Sequence, residues 1–145
     1  KQWKDNRAIN RGRFSIDDWE KKVAQKESIE AQVISALTNM LKVRTNCSAF
    51  HPDGEQTIID TGAKEVLAIV RKPPKTKEGC AVLCLTNFSK QPLSVSKSSL
   101  GKHFQNTEQF VDMLTGAQFA AGKVIELFPY QVLWLTKNQK KHTPT

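Results

Sequence analysis

The sequence predicts an α+β chain: a polar opening loop and two helices, then an all-β antiparallel unit of sandwich-like build. Three observations carry this prediction. Apolar residues recur at helical spacing through the first third of the chain. After His51 the period shortens to that of strands. Between the short apolar runs that follow, Gly, Pro, Asn and Asp recur as turn residues. By this change of period the helical lead covers about 45 residues and the β unit about 90. The chain has 145 residues, 39% of them hydrophobic, with seven Phe and three Trp. That is enough to bury roughly two-thirds of its unfolded surface, and wholesale disorder is excluded.

The elements follow in order. Residues 1–14 are polar and read as a loop. Ser15-Ile16-Asp17-Asp18 supplies an N-cap with an acid at the third helical position. A helix to about Lys26 follows, with Ile16, Trp19 and Val23 on one stripe. Ser28 is a second N-cap, and Val33, Ala36, Leu37, Met40, Leu41 and Val43 keep helical spacing to an end near Asn46. This lead is too short to be a domain alone, so it packs on a missing neighbour or against the β unit.

Pro52-Asp53-Gly54 is turn chemistry. Thr57–Ile59 and Val66–Val70 read as strands joined by a hairpin turn at Thr61-Gly62-Ala63-Lys64. Cys80–Thr86 is apolar on both faces and therefore central. Leu93–Val95 is a short fourth strand, and residues 96–108 are too polar to assign. Phe110–Leu114, Lys123–Phe128 and Gln131–Thr136 complete seven strands, with Pro129 at the last turn. The polar tail beyond Lys137 frays.

Charge and cysteine content bound the function. There are 22 basic and 14 acidic residues, a net +8, but the basic residues are scattered rather than gathered in a stripe with interleaved aromatics. Solvated faces explain that pattern better than a nucleic-acid partner does. Cys47, Cys80 and Cys84 form neither a disulfide framework nor a zinc spacing. Cys80 and Cys84 on one strand would face one side as small buried hydrophobes. A reducing cytoplasm fits them. No apolar run is long enough to span a membrane, and no membrane partner is expected.

Catalytic chemistry finds few footholds. There is no glycine-rich phosphate loop, and His51, His103 and His142 stand too far apart to share a metal, so neither metal nor cofactor is expected. Asp17 and Asp18 are adjacent and point apart on a helix, which suits the N-terminal dipole rather than paired acid–base work. His51 could be an imidazole base, but a His before Pro at a helix-to-strand link more simply caps or packs. Trp3, Trp19 and Trp134 lie on apolar stripes and read as core. Arg7 and Arg11 are different. Arginine's rigid fork of donors suits carboxylates, phosphates and vicinal hydroxyls, so this pair is the candidate substrate-binding set.

Arg7-Ala8-Ile9-Asn10-Arg11 before a Ser-capped helix, Ala49-Phe50-His51-Pro52, Asp112-Met113-Leu114-Thr115-Gly116 and Phe128-Pro129-Tyr130-Gln131-Val132-Leu133-Trp134-Leu135 are similar to four stretches of one family. Together they resemble the C-terminal part of sucrose phosphorylase-like enzymes of glycoside hydrolase family 13, the α-amylase superfamily. The resemblance covers nearly the whole chain. It implies that residues 1–48 are the last loop and helices of a (β/α)8 barrel, 49–139 a C-terminal β-domain and 140–145 a tail. With its polar opening and no initiator Met, the chain then reads as a fragment of a larger protein.

The implied parent transfers glucosyl from an α-glucoside to phosphate in a retaining double displacement that uses two carboxylates. Those lie on earlier barrel loops. None of their motifs is here, so the fragment has no catalytic residue and is expected to be inactive alone. Its partner would be the missing barrel. The resemblance puts Arg7 near the glucosyl pocket. Ala8 and Gly12 stand where relatives often have Asp and His, which leaves sucrose, phosphorylated sucrose and glucosylglycerate all open. Two other functions suit a basic β unit: a stand-alone carbohydrate-binding module, favoured by an exposed coplanar aromatic pair including Trp134, and a nucleic-acid-binding domain, favoured by steep salt dependence.

Overall fold

The computed structural model describes residues 15–137, which fall into two compact units, one ending at Met40 and the other beginning at Leu41. Helix α1 spans Ile16–Ala24 and α2 spans Ile29–Thr45. Ser15 caps α1 as expected: its backbone is extended and its side chain accepts from Asp18 N–H at 3.0 Å. Asp17 and Asp18 sit in the first turn and Lys21 and Lys22 in the last, the charge order that the helix dipole favours. Ser28 does two things at once. Its hydroxyl oxygen accepts from Ala31 N–H at 3.1 Å, and its O–H donates to Lys22 O at 2.6 Å, tying the second cap to the end of the first helix. The Lys22 ammonium hydrogen-bonds Glu30 at 3.0 Å and holds that carboxyl below its ordinary range. Ile29, Val33, Leu37 and Leu41 recur every fourth residue on α2 and are all exposed.

After a 3-10 turn at Ser48–Phe50 the chain becomes β. The strands are β1 (Glu55–Ile59), β2 (Val66–Lys72), β3 (Val82–Asn87), β4 (Leu93–Ser96), β5 (Gln109–Asp112), β6 (Gln118–Ala120), β7 (Val124–Leu127) and β8 (Val132–Lys137). All pairs are antiparallel. Six strands form one sheet in the order β1-β2-β3-β8-β5-β6, and β4 pairs with β7 in a second. The β1–β2 turn bends at Gly62, whose φ is +76° and whose N–H is taken by Asp60 Oδ1. At Gly54 the backbone needs the missing side chain: a Cβ there would lie 2.6 Å from Lys72 O.

Alternation sorts the side chains. Ala68 and Val70 of β2, Leu83 and Leu85 of β3, and Leu133 and Leu135 of β8 face Val95, Ile125 and Leu127 of the small sheet, and together they make the main core. Val82, Cys84 and Trp134 face the other way, where Ala49, Phe50 and Met113 cover them. Both faces of β3 are therefore covered, which explains its unbroken apolar sequence and its central place. The register pairs Leu85 with Leu133 and Cys84 with Trp134.

Three expectations need correction. There are eight strands among the described residues, not seven: Gln118–Ala120 forms β6, too short to show a period. The unassigned polar stretch holds a 3-10 turn at Lys97–Leu100 and a one-turn helix, α3, at Gly101–Phe104. They form because Leu100 and Phe104 are drawn fully into the core, not because of a cap. The third strand starts at Val82, so Cys80 lies before it, outside the strand that holds Cys84.

Candidate functional site

The sequence-named residues are placed as follows. Arg7, Arg11 and Trp3 lie outside the described residues. His51 caps the 3-10 turn, and its Nδ1 accepts from Asp53 N–H at 3.2 Å and its carbonyl from Gly54 N–H at 2.9 Å. Arg71, which the sequence did not single out, clamps this turn. Its Nε donates to Ala49 O at 3.2 Å, its Nη2 to His51 O at 3.0 Å and its Nη1 to Gln56 Oε1 at 2.6 Å. Its guanidinium is thus spent on the junction between the 3-10 turn and the sheet. Trp134 stands against Phe50, ring centroids 4.6 Å apart at 41°, in the smaller apolar cluster. It offers no exposed coplanar pair.

Cys84 is a packing residue. Burial pushes its thiol from an ordinary 9.0 up to about 12, against the pull of Arg71. Because the thiolate is the nucleophile, Cys84 is expected to resist iodoacetamide at pH 8 in the folded chain and to react on unfolding, as mass mapping of alkylated peptides would read. The sign is fixed. The folded pKa is raised, so the contribution is intact below pH 9 and lost as pH rises toward 12. Among the described residues no group of three or more His, Cys, Asp or Glu is placed to hold a metal, and no helix is long and apolar enough to cross a membrane.

A concavity with aromatic walls lies where the β5–β6 hairpin meets β7 and the β7–β8 turn. Its volume is about 310 Å³. Asp112, at the end of β5, is buried and organises the hairpin: Oδ1 accepts from Leu114 N–H at 3.3 Å and Trp134 N–H at 3.1 Å, and Oδ2 from the Thr115 hydroxyl at 2.7 Å. Phe119 and Phe128 stand at its walls, and Glu126 and Gln131 add polar groups. The β7–β8 turn, Phe128 to Gln131, is closed by Gln131 N–H to Phe128 O at 3.1 Å. Pro129 takes its second position, and Tyr130 its third, at φ +56°. A buried Asn87 fastens the turn from below: Nδ2 donates to Phe128 O at 2.9 Å and to Gln91 O at 2.8 Å, and Oδ1 accepts from Ser89 N–H at 2.8 Å.

No protein-family model matches the chain. Curated relatives do. It is 29% identical over 143 residues to a glucosylglycerate phosphorylase of Spirochaeta thermophila, covering 94% of this chain and 24% of that protein. It is 31% identical over 129 residues to a glucosylglycerate phosphorylase of Allomeiothermus silvanus, covering 89% of this chain and 20% of that protein. Among solved structures, AmyP in complex with maltose superposes with a TM-score of 0.59 at 20% identity, over 74% of this chain and 20% of that one, a likeness of fold.

The match is to the α-amylase superfamily, glycoside hydrolase family 13, as the motifs implied. Within it, the chain matches a C-terminal part of a sucrose phosphorylase-like enzyme. It spans between a fifth and a quarter of the length of the two curated relatives above.

Proposed function

We propose that the chain is the non-catalytic C-terminal portion of a retaining α-glucoside phosphorylase. The enzyme moves a glucosyl group to phosphate, giving glucose 1-phosphate, in the cytoplasm. Residues 1–48 complete the catalytic barrel, 49–139 form the β-domain that stabilises it, and 140–145 are a tail. The observation that carries this reading is the identity, near three residues in ten over about nine-tenths of the chain, to proteins named glucosylglycerate phosphorylase. The same names favour glucosylglycerate over sucrose as the glucoside that is split. The exposed stripe of Ile29, Val33, Leu37 and Leu41 supports it, because an apolar helix stripe is stable when a neighbouring element covers it.

Arg7 is the residue proposed to touch substrate, with Arg11 beside it in sequence. The test is phosphate-dependent release of glucose 1-phosphate by the protein that carries this sequence, with glucosylglycerate and sucrose as alternatives. Release from glucosylglycerate is expected, with Arg7→Ala lowering kcat/KM about 10–100-fold, the worth of one charge-assisted hydrogen bond. No phosphorolysis of any α-glucoside would overturn the reading, and full activity of the variant would remove Arg7 from the site.

A further inference from the structure

We infer that the polar cavity bounded by the end of β4, the residues after α3 and the β6–β7 turn binds a doubly charged tetrahedral oxyanion: a sulfate or phosphate group, free or carried as an ester. Residues 96–98, 105–106 and 121–123 line it, and its volume is about 700 Å³. That lies within the range for small-molecule sites.

Charge selects the class. Lys97 and Lys123 line the cavity, and no aspartate or glutamate does. Neither lysine takes part in an ion pair among the described residues. The net charge of +8 does not explain this by itself, because the cavity at Asp112 has the reverse lining, Asp112 and Glu126 without a cation. Two positive charges lining one hollow repel each other, and an anion between them removes that cost.

The donors suit an oxyanion. Lys97 is half-buried, and its Nζ donates to Ala121 O on the cavity wall at 3.4 Å. An ammonium carries three N–H donors, so two are left for a ligand. The Ser96 and Ser98 hydroxyls stand 2.8 Å apart, and one hydrogen joins them, so the other O–H is left to donate. The side-chain amides of Gln105 and Asn106 add N–H groups. An ammonium is a compact point charge rather than a planar fork, which suits charge spread over tetrahedral oxygens better than a flat carboxylate. No aromatic ring lines the cavity, so a nucleotide base would find nothing to stack on.

The walls are also tied together. Lys97 N–H donates to Lys123 O at 2.9 Å, and the Ser99 hydroxyl donates to Ser96 O at 2.7 Å. Leu100, fully buried, anchors the same turn in the core. A site held in this way loses little freedom on binding.

This inference does not rest on the phosphorylase reading, because the lining residues all lie in the β unit and include neither Arg7 nor Arg11. The test is a titration of the 145-residue chain with sodium sulfate, inorganic phosphate, glycerol phosphate and sodium glutamate in turn, at constant ionic strength, followed by amide chemical shifts. Saturable shifts with sulfate and phosphate are expected at Ser96, Lys97, Ser98, Asn106 and Lys123, with a dissociation constant on the order of millimolar. Glycerol phosphate binding more tightly than phosphate would make the ligand an ester, and equal or weaker binding a free ion; both results uphold the site. Lys123→Met should weaken sulfate binding about three- to tenfold. Lys123 is exposed, so the variant's spectrum should stay dispersed. Lys97→Met should weaken binding at least as much, because a half-buried charge is screened less. The inference fails if neither oxyanion gives saturable shifts, if the shifts map elsewhere, if either variant binds as the parent does, or if glutamate binds as tightly as sulfate.

Discussion

Replacing Phe110 with alanine is expected to cost about 3–5 kcal/mol, the usual range for emptying an aromatic site in a core. Phe110 is fully buried on β5. Its ring lies 6.1 Å from that of Phe104 and 5.9 Å from that of Phe119, so it joins the one-turn helix α3 to the β6 hairpin. Both elements are short and weak by themselves. Each is held chiefly by what it buries. Domain stabilities are only about 5–15 kcal/mol, so the loss is a large share of the total. It should lower the melting temperature by on the order of 15 °C, read by circular dichroism or calorimetry. Phe110→Leu keeps most of the volume and should cost about 1–2 kcal/mol. An alanine variant within about 1 kcal/mol of the parent would mean that the hairpin collapses into the space, and that the aromatic cluster does not hold this edge.

Asp112→Ala is expected to cost about 3 kcal/mol or more, for another reason. The carboxylate accepts from Leu114 N–H, Trp134 N–H and the Thr115 hydroxyl, and it is buried. Alanine would remove the acceptor that these part-buried donors share, and each hydrogen bond to a charged group is worth about 1.5–3 kcal/mol. Asp112→Asn separates this account from simple packing loss. The amide keeps Oδ1 for the two backbone donors, and the Thr115 hydroxyl can turn to accept from Nδ2. The asparagine variant should therefore recover at least half of the loss in urea denaturation. Equal losses for both variants would show that the negative charge, not the acceptor geometry, is what the turn requires.

These two residues also mark what the sequence made legible. Both helices, their Ser15 and Ser28 caps and seven of the eight strands could be read, because caps and periods are local signals that span a few residues. Central β3 could be read too, since a strand covered on both faces must be apolar on both. What stayed hidden depends on partners far along the chain. Asp112 meets Trp134 across 22 positions, and Arg71 meets Ala49 across the same separation. No short window contains either pair. Strand β6 has a single inward residue, Phe119, and one position cannot define a period. Leu100 and Phe104 sit among Ser, Lys and Gln, so the segment reads as polar until the core claims them. Of the candidate site, Arg7 and Arg11 rest on motif resemblance and lie outside the described residues. The cavity at Asp112 is built by residues from two turns and four strands, none of which carries a motif for it.

The strand order has a consequence for synthesis. Strand β8, residues 132–137, lies in the middle of the large sheet, between β3 and β5. Of the eight described strands it is the last to emerge from a ribosome. Until it does, β1–β3 form one ribbon and β5–β6 another, each with an open edge where β8 belongs. Translation at about 5–20 residues per second leaves those edges exposed for seconds while the intervening segment is made. A chain cut short before Val132 would leave two unjoined half-sheets rather than a slightly smaller β unit. Such a product is bait for chaperones and proteases, so the unit proofreads its own completeness: it closes only when its final strand has arrived.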